Sequence, residues 1–218
     1  MRPRYGVPII IILLLASSWS FSNNGTIEQW MTENTIVTES EELSLLPLQE
    51  HERWLVLLAD FDEQPSSDTW GPTQAQTLLD DIARNYIAQL SGSRTEIIVD
   101  VSTLVTRASG SLSDYGGDSN GNRDMSSDGE FLPMILAEET VTDHEKYIDW
   151  DEYDLDGDGF VDRLLILHTT KGQEENPSQS SKIWSHFTLF DEPINVDENV
   201  KVGHYTMASL RTGSSGMG

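Results

Sequence analysis

The run Trp54-Leu-Val-Leu-Leu-Ala-Asp60 has no polar residue between its ends. A strand with one wet face alternates apolar and polar side chains. An unbroken apolar run makes a stable strand only when both of its faces are covered. The chain is thereby committed to a sheet with packed layers on its two sides.

The residues that follow supply those layers. Thr73, with Gln76 three residues on, reads as a capping box opening a helix. Leu78, Leu79, Ile82, Tyr86, Ile87 and Leu90 form its apolar stripe, and Gly92 is its stop. Residues 95–105 are rich in β-branched side chains and predict a second strand. Residues 108–130 are a long loop crowded with Gly, Ser, Asp and Asn, a length that in a compact domain is often functional. A short helix is predicted over 131–141, with Pro133 in its first turn. Further strands are predicted over 164–168, 183–187 and 204–207. Loosely alternating strands and helices give an α+β mixed sheet with helices packed on it.

The N-terminus carries the marks of export. Arg2 and Arg4 precede an apolar run over residues 7–16, and Ala16, Ser17 and Ser18 offer the small residues a signal peptidase accepts. That run is too short for the ~20 residues of a membrane span, so residues 1–22 read as a signal peptide and the protein as secreted, with no stable membrane anchor. Residues 23–52 read as an acidic, loosely held leader or propeptide-like segment, and residues 53–218 as one domain. The chain has no Cys, which excludes disulfides, thiolate metal sites and Cys nucleophiles. A formal net charge of −24 repels nucleic acid and anionic membranes and favours divalent cations.

One segment specifies a ligand. In Asp154-Leu-Asp156-Gly-Asp158-Gly159-Phe160-Val-Asp162, oxygen-bearing residues recur at every second position. Calcium takes six to eight oxygens, and an EF-hand-like loop presents them from its first, third, fifth, seventh and ninth positions. Those positions are Asp154, Asp156, Asp158, the Phe160 carbonyl and Asp162, with Gly159 at the sharp turn. The bidentate Glu of an EF-hand is replaced by Leu165, and a strand follows rather than a helix. Trp150 and Tyr153, just before the loop, are placed to anchor it on the core. Asp118 and Asn120 in the Gly-rich loop are candidates for a second calcium contact; that loop lacks the Gly-Lys-Ser/Thr ending of a phosphate cradle. Gly213-Ser214-Ser215-Gly216 is no nucleophile elbow.

Several stretches together resemble the immune inhibitor A family of secreted zinc metalloproteases. They are residues 54–61, Tyr115-Gly-Gly-Asp118-Ser-Asn-Gly121-Asn, residues 149–168, and Gly172-Gln-Glu174 followed by Ile183-Trp184-Ser185-His186. The resemblance runs over roughly residues 53–190, the front of the catalytic domain. It implies a zincin-like fold, a twisted mixed β-sheet whose active-site helix carries His-Glu-x-x-His, with zinc as cofactor and protein or peptide substrates. That motif is not among the 218 residues. His144-Glu145 comes nearest, but Ile148 stands where the second His belongs. The sequence thus reads as the N-terminal part of such a catalytic domain, incomplete at its C-terminus and inactive by itself. His168, Glu174 and His186 are candidates for a substitute His₂Glu zinc site, set against histidines that merely satisfy strand ends and a Glu that pins its loop. A non-catalytic exported calcium-binding domain acting in adhesion or scaffolding is the alternative.

Overall fold

The computed structural model describes Asn23 and residues 45–211. The chain divides into a unit of residues 1–44 and a unit of residues 45–218. The signal-peptide reading and residues 24–44 of the leader lie outside the described residues.

Five strands form one sheet: β1 (His51–Asp60), β2 (Glu96–Arg107), β3 (Leu164–Lys171), β4 (His186–Asn195) and β5 (Lys201–Arg211). Their order is β2-β1-β3-β5-β4. β1 runs parallel to both β2 and β3, β3 runs parallel to β5, and β4 pairs antiparallel with β5. The mixed sheet with packed helices is the α+β architecture of a zincin-like domain.

β1 lies inside the sheet, as its apolar run requires, and residues 55–59 are almost wholly buried. Its side chains alternate between two cores. Val56 and Leu58 face helix α1 (Pro72–Ser91), where Ala75, Ala83 and Ile87 meet Ile97 and Val99 of β2. Leu55, Leu57 and Ala59 face a larger core built from helix α3 (Leu132–His144), the 3₁₀ turn Trp150–Tyr153, and Ile166, Tyr205 and Met207. Burying one such aliphatic side chain contributes roughly 1.5–3 kcal/mol, so this strand alone is a large stabilising element.

The structure corrects the sequence reading at several points. β1 begins at His51 rather than Trp54, because Glu52 is buried against Arg163, with Arg163 Nε donating to its carboxylate at 2.6 Å. Arg163 also donates to the Leu46 and Pro47 carbonyls, so residues 46–52 are tied to the domain rather than loosely held. α1 starts at Pro72 behind Gly71, with no side-chain cap. Thr73 is inside the helix, and Gln76 reaches sideways instead, bonding the Val99 carbonyl and the Val101 N–H of β2. The buried face of α1 is built on Ala75, Ala83 and Ile87, while Ile82, Tyr86 and Leu90 are exposed. The fourth strand is displaced: residues 183–185 precede it, and it continues to Asn195. The long loop of residues 108–130 contains one helical turn, α2 (Leu112–Tyr115), opened by a Ser111/Asp114 capping box. Helix α3 extends three residues past its predicted end.

Candidate metal centre

The loop of residues 154–162 lies between the buried 3₁₀ turn and β3. Trp150 is fully buried and Tyr153 nearly so; Trp150 Nε1 donates to the Glu145 carbonyl, and Tyr153 accepts at its carbonyl from Asp162 N–H. These aromatics anchor the loop, as their position in the sequence suggests. The chain then curls on its own carboxylates. Asp154 accepts from the N–H groups of Gly157, Asp158 and Gly159, and Asp156 accepts from Asp158 N–H. Gly157 and Gly159 have φ of 76° and 88°, a left-handed turn that residues with a Cβ rarely adopt. The far end is fixed by β5: Lys201 N–H donates to the Gly159 carbonyl, and Val161 N–H to the Lys201 carbonyl.

This folding gathers three carboxyl groups. Ligand oxygens of Asp154, Asp156 and Asp162 lie within 4.8 Å of one another, the one such acidic or histidine group among the described residues. Asp158 stays outside the trio, its Oδ1 accepting from Phe160 N–H. Burial pushes Asp162 up to about 6, and the Asp156 and Asp158 charges add to the shift against the Leu155 N–H and Arg163. Carboxylates so placed repel one another until a cation joins them.

The second loop is organised around a different pair. Asp118 Oδ1 accepts from Asp124 N–H at 3.2 Å, and Asp118 Oδ2 from Gln173 Nε2 at 2.8 Å. Asp124 Oδ2 accepts from Trp184 N–H at 2.9 Å. Asn120 and Asp124 both have φ of 54°. Asp124 and Gln173 escaped the sequence reading. The signal was present in Asp118, Asn120, Asn122 and Asp124, oxygen-bearing residues spaced two apart.

The histidines do not converge. His168 is fully buried in β3, its Nδ1 2.7 Å from Thr170 Oγ1. His186 places Nδ1 2.8 Å from the Trp184 carbonyl and Nε2 3.2 Å from the Tyr205 hydroxyl. Glu174 accepts from Ser185 Oγ at 2.7 Å, which pins its loop. His144 packs inside α3 with its two ring nitrogens at the Thr140 and Leu104 carbonyls, 2.8 and 3.2 Å away.

Comparison with known families turns on the same stretch of chain. The family model described as immune inhibitor A peptidase M6, catalytic domain, matches residues 50–209. The chain belongs to the immune inhibitor A peptidase M6 family. No curated protein matches it. Membership makes the domain that of a peptidase acting on proteins or peptides, and it implies a metal, typically zinc. The residues present do not fit that metal. His168, Glu174 and His186 form no group within 4.8 Å among the described residues, and His144 spends both nitrogens on backbone carbonyls. No described helix is long and apolar enough to cross a membrane.

Proposed function

We propose that the protein is a secreted, zinc-dependent metalloendopeptidase of this M6 family, with its zinc held by residues outside this 218-residue sequence. The family match over residues 50–209 carries the reading. On this reading the described domain supplies a calcium clamp and a substrate strand. The clamp is the loop of Asp154, Asp156 and Asp162, with the Phe160 carbonyl and Asp158 as further oxygens. Its position supports a structural role, since it joins the buried 3₁₀ turn to β3 and is pinned to β5. The strand is β4, the last in the sheet order. An edge strand presents backbone N–H and C=O groups to which an extended peptide can add.

The test is cleavage of casein by the 218-residue chain and by a form extended along its reading frame to include a His-Glu-x-x-His helix. The extended form should cleave casein, lose activity to a zinc chelator and regain it on adding zinc. An extended form with intact zinc and no proteolysis would overturn the reading. Export rests on Arg2, Arg4 and the apolar run after them, and N-terminal sequencing of the secreted product should show the first residues removed.

A further inference from the structure

The loop of residues 116–124 lies against the segment that leads into β4. Asp118 N–H donates to the Ser180 carbonyl, and Gly117 bridges Ser181. A Cβ on Gly116 would come within 2.4 Å of the Lys182 carbonyl carbon, so only glycine permits the approach. Two backbone segments are thus pressed together with acidic side chains between them.

The polar atoms at this contact do not balance. Asp124 is 2% exposed, and its Oδ1 is buried without a partner. Gln173 is fully buried, and its Oε1 is likewise without a partner. The amide that carries this oxygen is the one that donates to Asp118, so Oε1 sits beside the Asp118 carboxylate on the same planar group. Both orphaned acceptors therefore belong to residues tied to one half-buried carboxylate, that of Asp118, to which Asp124 N–H and Gln173 Nε2 each donate. A buried acceptor without a donor costs about 1–3 kcal/mol, and more when charged. The nearby positive charge does not complete the set: Arg123 stacks its guanidinium on the Trp184 ring, 3.8 Å from the centroid. Glu174 adds a further negative charge to the field at Asp124. The orphaned atoms of Asp124 and Gln173 are both oxygens, the donor type of a hard divalent cation, whereas the orphaned imidazole nitrogens His168 Nε2 and His204 Nδ1 belong to β3 and β5.

We infer that Asp118, Asp124 and the Gln173 side-chain oxygen bind a second calcium ion, separate from the loop of Asp154, Asp156 and Asp162. A half-turn of the Gln173 amide exchanges its N and O, so that the oxygen replaces the donor now facing Asp118. Asn120 and Asn122, spaced by two along the same loop, are placed to add amide oxygens. The ion would clamp the 116–124 loop to the segment entering β4.

The experiment is calcium binding to the 218-residue chain by equilibrium dialysis, with calcium as the probe, on wild type, Asp124→Asn, Gln173→Met, Asp162→Asn and the Asp124→Asn/Asp162→Asn pair. Wild type should bind about two equivalents, each single Asp variant about one, and the pair none. Gln173→Met should weaken the equivalent that Asp124→Asn removes and leave the other intact, which keeps the test open if Asp124→Asn folds poorly. Unchanged binding in both Asp124→Asn and Gln173→Met would overturn the second site. Loss on Asp124→Asn with none on Asp162→Asn would uphold it and overturn the first loop instead.

Discussion

At the scale of single residues, the fold depends on polar groups buried beside their partners. Glu52 is the clearest, with a side chain at 0% exposure held by Arg163 at 18%. Removing the arginine leaves a buried carboxylate without its cation. Arg163→Met is expected to cost about 3–5 kcal/mol, whereas Glu52→Leu with Arg163→Met together should be close to neutral. Urea denaturation of the two variants checks this. His168 behaves in the opposite sense. Burial pushes it down to about 4, with the Glu174 charge opposing and His186 adding. An unfolded histidine takes up its proton near pH 6.5, before the folded one does, so stability is full above about 6.5 and falls as pH drops toward 4. His144 shifts the same way, again through burial. His168→Gln should flatten the acid limb of a stability–pH curve by on the order of 3 kcal/mol. A curve as steep as wild type would contradict the assignment of a neutral buried ring.

At the scale of elements, legibility followed locality. Asp154, Asp156 and Asp162 were readable because a loop that folds on its own carboxylates writes its geometry into residue spacing. β1 was readable because no exposed position interrupts it. Helix α1 was found but its buried face was not: Ile82, Tyr86 and Leu90 have the spacing of a stripe, yet the sheet surface takes the small Ala75 and Ala83 at close approach. Gln76 looked like a cap because the same side chain can bond a helix end or a neighbouring strand. β4 was misplaced because its residues alternate around an exposed edge, where the apolar signal is weakest. Gln173 reaches Asp118, and Trp184 reaches Asp124, only through tertiary contact across long stretches of sequence. The geometry of the 154–162 loop also ranks its carboxylates as proposed calcium ligands. Calcium should raise the melting temperature of the chain, and Asp156→Ala or Asp162→Ala should each remove most of that gain from this loop. Asp158→Ala, outside the gathered trio, should remove less. Melting curves in chelator and in about millimolar calcium, the range of the weaker extracellular sites, distinguish these outcomes. Equal curves for wild type in the two conditions would make the loop a simple turn.

At the scale of the whole molecule, a peptidase family is represented by residues whose candidate histidines do not gather: His186 and His144 spend both ring nitrogens elsewhere, and His168 holds Thr170 through Nδ1. The net charge of −24 favours association with divalent cations. The described domain has a two-faced sheet, a carboxylate loop pinned to its third and fifth strands, and an edge strand suited to an extended peptide. Zinc catalysis needs three protein ligands, an open fourth position and a base. Neither His168 with His186 and Glu174 nor His144 with Glu145 provides that set. The most direct test is the metal content of the purified 218-residue chain, by elemental analysis after dialysis against calcium and zinc together. Bound calcium, no stoichiometric zinc and no zinc-dependent cleavage of casein are the expected results; tight stoichiometric zinc, lost in His168→Ala or His186→Ala, would contradict them.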